Sequence, residues 1–455
     1  MNDKSESEDV FLLDVANVGK VVSAKIALSG ITIIAGENAT GKSTVSRALC
    51  ALCSMSFNMT QLVRFERVRS ICQVIQEMAS KLDVGLEIWN RPEPYSLGAW
   101  SPLLGEEFWG STTRFAEWIE ENFGYDEEGN NSRLGWIDRP IEKGRGFLQW
   151  YAALKDAALK ILSVPLANYE NHVCIKLLNT AYDSSAQWRN VVSKDDDFHI
   201  ILNRGAVSWA VESALKWSPT CRLDAGEIAS SILYLEPVHV LDMMVDRDLQ
   251  GRYVAGRHDA RVMLQAGPPK DVTLEMQRDL DDARMVLDGI AKVIGGRLQQ
   301  RDEKIVFEED QGARREVSIA NMASGMKTMA AIVRAVENGT LKRGGLLVID
   351  EPESNLHPQW QISFAKFLVL LHREFGVRVL LTTHSPYFFK AIRVNADFAG
   401  VGEDCRYYQM LRDEATGGFV SHDRTADATP VYESMMKPYA QLKFGPSYDQ
   451  MDNLH

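Results

Sequence analysis

Two clusters in this chain have the residue types and spacing to handle a phosphate chain. The first is Gly36-Glu37-Asn38-Ala39-Thr40-Gly41-Lys42-Ser43-Thr44, which follows the β-branched run Ile31 to Ala35 and leads into Val45, Ala48, Leu49 and Leu52 at helical spacing. Strand, glycine-bounded loop and helix, in that order, form the setting in which G-x-x-x-x-G-K-[ST] has mechanical meaning. Gly36 and Gly41 allow a tight turn that brings the loop's N–H groups against phosphate oxygens, with the positive end of the helix behind them. Lys42 is placed for the β- and γ-phosphates of ATP and Ser43 for a Mg²⁺ ion. The second cluster, Asp350-Glu351, ends the glycine-led apolar run Gly345 to Ile349. Successive side chains leave a strand in opposite directions, so one carboxylate can serve the metal and the next a water. Asp350 is expected to hold Mg²⁺, and Glu351 to take the proton from a water attacking the γ-phosphate.

These clusters need strands and helices to hold them. Phe11 to Val15 and Val21 to Leu28 read as strands about a turn at Gly19, and Ile31 to Ala35 as the strand entering the loop. The helix after the loop is expected to end near Ser54. Val68, Ile71, Cys72, Ile75, Met78, Ala79 and Leu82 then predict a second helix, with Arg64, Arg67 and Arg69 on a solvated face. Nine of the ten tryptophans fall between residues 85 and 220, among short helical patterns, polar loops and the acidic run Asp195 to Asp197, with neither heptads nor repeats. Ser231 to Val240 returns to a sheet. Asp271 caps a helix carrying Leu280, Ala283, Leu287, Ile290 and Ile294, Gly295-Gly296 stop it, and Lys304 to Phe307 with Arg315 to Ile319 read as a hairpin. The expected organisation is α/β. Residues 1–60 and 226–430 form one ATPase domain, 61–225 a mainly helical Trp-rich insertion, and 431–455 a C-terminal tail.

Composition narrows the classes. A chain of 455 residues, 45% hydrophobic and 25% charged, has globular values and room for two or three domains. Its formal charge of −12 argues against a surface that is basic all over. The acidic start, Met1 to Asp9, is unlike a secretory signal, and no apolar run approaches bilayer length. A cytoplasmic protein without membrane association is the expectation. The six cysteines form no disulfide framework, and Cys50-x-x-Cys53, on the loop's helix, reads as buried thiols rather than a zinc or redox pair.

Residues 322–329, Met-Ala-Ser-Gly-Met-Lys-Thr-Met, open a helix with apolar positions at Met326, Met329, Ile332, Val333 and Val336. Ala323-Ser324-Gly325-Met326-Lys327 resembles the ABC signature motif, and Ser354-Asn355-Leu356-His357 a D-loop. Leu380 to Pro386 is similar to the strand and switch histidine, His384, of the same proteins. With the P-loop and the Asp350-Glu351 strand these make five motifs in order, spread over most of the chain outside the insertion. The chain resembles an ABC-type ATPase of the SMC/RecF/OLD kind. The resemblance implies ATP and Mg²⁺ as ligands and a homodimer with ATP sandwiched between the P-loop of one copy and Ser324-Gly325 of the other. It also implies His384 at the γ-phosphate and Asn355 at the subunit boundary. A helix N-terminus at Ser324 and Gly325 suits an anion. Met326-Lys327 replaces the glycine and glutamine of the fuller signature, and no Q-loop is placed, Gln61 lying on a predicted helix; slow or conditional turnover is the expectation.

In the OLD kind a TOPRIM nuclease domain follows the ATPase. The 71 residues after His384 contain no Asp-x-Asp, and Asp246-Arg-Asp248 lies upstream of the signature, where it reads as surface charge. The combination resembles the ATPase subunits of bacterial antiphage systems of the PARIS and Septu types. That resemblance implies a homo-oligomer larger than the dimer, a ring or horseshoe such as a hexamer, holding a separate TOPRIM or HNH nuclease until a phage trigger is sensed. The competing reading is a RecF/SMC-like repair or chromosome ATPase that clamps DNA, using Arg64, Arg67, Arg69, Arg314 and Arg315.

Overall fold

The computed structural model describes residues 10–80, most of 152–182, 197–204, 207–215, 218–223, 232–235, 274–301, 304–309 and 315–444. The chain divides into two compact units, Met1–Phe57 with Leu177–Arg247 and Tyr253–His455, and Asn58–Lys176 with Asp248–Arg252.

In chain order the principal elements are β1 (Phe11–Val18), β2 (Val21–Leu28), β3 (Ile31–Ala35), α1 (Lys42–Ser80), α2 (Leu166–Ala181), β4 (His199–Arg204), β5 (Val207–Leu215), β6 (Ser218–Leu223) and β7 (Ile232–Leu235). There follow α3 (Leu274–Ile294), β8 (Gly296–Arg301), β9 (Lys304–Glu309), β10 (Arg315–Val317), α4 (Ser324–Glu337), β11 (Leu346–Asp350), α5 (Pro358–Phe375), β12 (Arg378–Thr383), α6 (Pro386–Ala399), β13 (Cys405–Arg412), β14 (Phe419–Asp423) and α7 (Thr429–Phe444).

Eleven described strands form one sheet in the order β6-β5-β4-β1-β2-β14-β13-β3-β12-β11-β7. From β13 to β7 the pairing is parallel. Its inner strands read as near-continuous apolar runs because both faces are covered: every residue of β3 and β11 is buried. The flank β6-β5-β4-β1-β2 is antiparallel, and its strands alternate instead. Helices α3, α4, α5 and α6 pack their apolar stripes on the parallel part. Ala283, Leu287, Ile290 and Ile294 of α3 and Met329, Ile332, Val333 and Val336 of α4 join Ile33, Leu347, Ile349, Val379 and Leu381 in one core.

Helices α5 and α6 are cut to length by local chemistry. Each begins with proline at its first turn behind a side-chain cap, His357 accepting from the Gln359 N–H and Ser385 from the Phe388 N–H. Each ends on a left-handed glycine, Gly376 (φ 67°) and Gly400 (φ 73°).

Several expectations hold: the β1–β2 turn, the strand at β7, the α3 stripe stopped by Gly295 (φ 76°), and the β9–β10 hairpin. Others are corrected. Helix α1 does not end near Ser54 but runs for 39 residues, because neither glycine nor proline interrupts Lys42–Ser80. The expected mainly helical insertion does not extend to residue 225, since among the described residues β4, β5 and β6 extend the main sheet through β1. Trp209 of β5 is a core residue against Phe11. In the second unit Arg67 is not solvated. It is buried, donates to the Val164 carbonyl at 2.9 Å and lies over the Tyr169 ring. The start of the expected C-terminal tail is helical in α7. The other tryptophans of the insertion, Asp271, Asp246 to Asp248 and Arg314 lie outside the described residues.

Candidate functional site

Strand β3 ends at Ala35 and the chain turns through Gly36 to Gly41 into α1. Two residues of this loop take left-handed backbone, Ala39 (φ 62°) and Gly41 (φ 88°). The loop is crowded. A methyl on Gly36 would sit 3.2 Å from the Met410 carbonyl oxygen of β13, and one on Gly41 would sit 2.7 Å from Val21 Cγ2 of β2. The Thr40 hydroxyl donates to the Glu37 carbonyl at 2.9 Å and closes the loop on itself. Glu37, Asn38 and Ala39 stay exposed, while Ser43 and Thr44 are half-buried on the first turn of α1.

Lys42 is only 4% exposed, and its ammonium folds back to donate to the carbonyls of Gly36 (2.9 Å) and Glu37 (2.6 Å). Burial pulls this ammonium below its ordinary range, while Glu351, Glu353, Asp350 and Glu37 draw it back up. The lysine of the first cluster therefore stands in the field of the carboxylates of the second.

Asp350 closes β11 and is also 4% exposed. Both its oxygens are engaged: Tyr234 of β7 donates to Oδ2 at 2.8 Å and Thr382 of β12 donates to Oδ1 at 2.9 Å. The neighbouring parallel strands thus aim this carboxylate. Glu351 leaves the strand in left-handed backbone (φ 46°), tied by its N–H to the Thr382 carbonyl at 3.0 Å. A non-glycine residue held there is strained by about 1–3 kcal/mol, a cost found at sites that use the geometry.

His384 follows β12 and faces Glu351 across 3.4 Å, Nδ1 to Oε1, and Glu353 across 3.5 Å. The contact with Glu351 and the charge of both carboxylates raise the His384 imidazole above its usual range despite burial. His384 in turn holds the Glu351 carboxyl below the usual carboxylate range. Both side chains are more than a third exposed, so solvent screens the pair, and it is better understood as an orienting contact than as a source of stability.

Helix α4 opens at Ser324 behind Ala323 without a side-chain cap. The three heavy atoms nearest to a methyl built on Gly325 all belong to Leu356, the closest at 2.0 Å. The signature-like turn and the D-loop-like turn of one chain are therefore in contact. Asn355, beside Leu356, is left-handed (φ 59°).

The structure brings together Lys42, Asp350, Glu351 and His384, and joins Gly325 to the turn at Leu356. Sequence reasoning missed Tyr234, Thr382, Glu353, Ser385 and Gln361. A carboxylate three residues beyond Asp350 in the same turn was a signal for Glu353; Tyr234 lies 116 residues from its partner and had none. Hard oxygen donors at Asp350 and Ser43 suit Mg²⁺. No group of three or more metal-ligating His, Cys, Asp or Glu side chains occurs among the described residues.

P-loop lysine, paired carboxylates at the end of a parallel strand, a histidine just after the next strand and a signature-like helix start together resemble the site of an ABC-type ATPase domain. Residues 194–390, a little under half of the chain, match the family described as "AAA domain, putative AbiEii toxin, Type IV TA system". A 77-residue stretch is 41% identical to the Septu protein PtuA of Bacillus thuringiensis, covering 16% of this chain and 19% of that protein. The match thus spans about a fifth of this curated relative's length. Among solved structures the chain is similar to the SMC head domain from Thermotoga maritima, with TM-score 0.37, 10% identity, and 91% of this chain and 98% of that one covered. It is also similar to the Smc head domain of Pyrococcus furiosus bound to the C-terminal domain of ScpA, with TM-score 0.40, 10% identity, and 95% and 99% covered. Among the described residues no helix is long and apolar enough to cross a membrane.

Proposed function

We propose that this protein binds and hydrolyses Mg²⁺-ATP between two copies of itself, and that it uses this cycle to hold and release a separate nuclease effector when phage infection is sensed. The observation that carries the chemistry is the Glu351–His384 pair, set beside Asp350 and within the field of Lys42. Lys42 leaves the carbonyls of Gly36 and Glu37 for the β- and γ-phosphates, and the N–H groups of Gly36 to Thr44 take the remaining oxygens. Asp350 and Ser43 hold Mg²⁺, which when bound neutralises phosphate charge. Glu351, kept ionised by His384, accepts the proton of the attacking water. The uncapped start of α4, at Ser324 and Gly325, presents free N–H groups to the nucleotide on the other copy.

The defence role rests on the partial identity to a Septu protein. A cytoplasmic location and assembly of dimers into a larger ring, such as a hexamer, belong to the same reading. The test is native mass determination of the protein co-expressed with the proteins encoded beside it, with and without ATP and Mg²⁺. A multimer retaining a nuclease subunit is the expected result. A dimer that forms only with ATP and retains DNA alone would replace this reading by a DNA clamp.

A further inference from the structure

Glu353 is buried to 4% exposure in the turn between β11 and α5. Its Oε1 accepts three hydrogen bonds from the segment joining β12 to α6: the Thr383 hydroxyl at 2.6 Å, the His384 N–H at 3.0 Å and the Ser385 N–H at 3.2 Å. The same oxygen lies 3.5 Å from His384 Nδ1. Its Oε2 is buried without a hydrogen-bond partner among the described residues. A buried acceptor left unmade costs about 1–3 kcal/mol, so a residue selected for stability alone would not carry the second oxygen. Burial also pushes the Glu353 carboxyl above its ordinary range. What this residue does well is geometric: one atom gathers the hydroxyl, two backbone N–H groups and the near side of the imidazole.

The segment continues into a second contact. The Ser385 hydroxyl donates to Gln361 Oε1 at 2.9 Å, and Gln361 Nε2 donates to the Leu356 carbonyl at 3.1 Å. Leu356 is the residue seated against Gly325. A chain of direct contacts thus leads within one molecule from the start of α4 to His384.

We propose that Glu353 is a positioning residue for hydrolysis: it holds His384 against Glu351 and, through Ser385 and Gln361, ties that pair to the turn at Leu356. This deepens the ATPase reading above and rests on it. Glu353 acts through His384.

The experiment is steady-state phosphate release and nucleotide affinity on the full chain, with E351Q as the reference for loss of the base. E353A is expected to lower kcat by about 10- to 100-fold, the penalty of a misplaced catalytic group, while KM and ATP affinity stay within about threefold. E353Q keeps an acceptor oxygen at the same reach and is expected to recover to within about threefold of wild type. E353D keeps the charge but withdraws the oxygen by about 1.5 Å, one C–C bond, and is expected to fall with E353A; it decides the matter if E353A does not fold. Wild-type kcat in E353D, or E353Q as slow as E353D, would overturn the proposal. If wild-type phosphate release is absent or indifferent to E351Q, the ATPase reading fails. Glu353 is then judged by the His384 resonances in ¹⁵N-histidine-labelled protein, assigned with H384N. A shift in E353D upholds the positioning role, and an unchanged signal overturns it.

Discussion

Gly325→Ala tests the contact between the signature-like turn and the D-loop-like turn. The added methyl would lie 2.0 Å from Leu356 Cδ2 and 2.7 Å from Leu356 Cγ, where carbon atoms rest about 3.5–4.0 Å apart. Two atoms of one leucine must therefore move by more than a rotamer's tip. Overpacking of this kind costs about 1–3 kcal/mol, and up to about 1 kcal/mol returns because alanine is the better helix former. The net expectation is about 1 kcal/mol of lost stability, read as a Tm lower by a few degrees. Because the strain is relieved by shifting Leu356, hydrolysis should fall further than stability, by about tenfold. Leu356→Ala alone removes a half-buried side chain at about 2 kcal/mol, the low end for a leucine. In the double variant the new methyl enters the vacated space, so the two costs should not add, with a coupling of about 1 kcal/mol in the stabilising direction. Thermal unfolding and phosphate release on the four proteins complete the cycle. Strict additivity, together with a G325A variant that hydrolyses and melts like the wild type, would show that these two turns do not meet as described.

Lys42→Ala removes a charge-assisted contact to phosphate worth about 1.5–3 kcal/mol, so ATP affinity should fall by about 10- to 150-fold in a fluorescent-nucleotide titration; unchanged affinity would remove the loop from the site. The His384–Glu351 pair sets a pH window. His384 lies above its unfolded value of 6.5, so its contribution is complete below pH 6.5 and is lost as pH rises through the folded value. Glu351 lies below its unfolded value of 4.5, so its contribution is complete above pH 4.5 and is lost as pH falls through the folded value. Both partners are charged between those limits, so the orienting contact is complete there, and the acid limb of hydrolysis should lie below pH 4.5 and move upward in His384→Ala; a limb that stays in place would uncouple the two residues. Burial pushes the Cys53 thiol up to about 12 and the Cys405 thiol up to about 11. At pH 8 their thiolate fractions are on the order of one in ten thousand and one in a thousand, so iodoacetamide should label them only after unfolding; rapid labelling of either in the native protein would contradict their burial.

How much of this was legible in the sequence follows from where each signal resides. Strands β3 and β11 announced themselves because a parallel strand covered on both faces is a near-continuous apolar run, and each ends in the residues that do chemistry. The stripes of α3 and α4 were legible for the corresponding helical reason. The length of α1 was also written in Lys42–Ser80, as the absence of any breaker, although the expected end fell near Ser54. Strands β4, β5 and β6 were hidden among tryptophans and short polar stretches, and they became strands by pairing outward from β1. The strand that anchors them, β1, is nearly two hundred residues from β4 in sequence, so no local pattern declares that pairing. The same holds for Tyr234 on Asp350 and for Thr382. Motifs name the groups that touch a ligand. The residues that aim those groups are chosen by the register of the sheet.

The position of β3 in that sheet has a consequence for how the protein is made. Ile31 pairs with Val379 on one side and with Cys405 on the other, about 350 and 370 residues later in the chain. At about 5–20 residues per second, the ribosome takes from about 20 seconds to more than a minute between delivering β3 and delivering both of its neighbours. Throughout that interval a strand that is apolar but for Thr32, with a glycine loop hanging from it, waits with both edges open. The nascent chain must therefore be shielded until its last third emerges. A message cut short before β12 yields a polypeptide that has the P-loop in its sequence and neither of the strands that pair with β3.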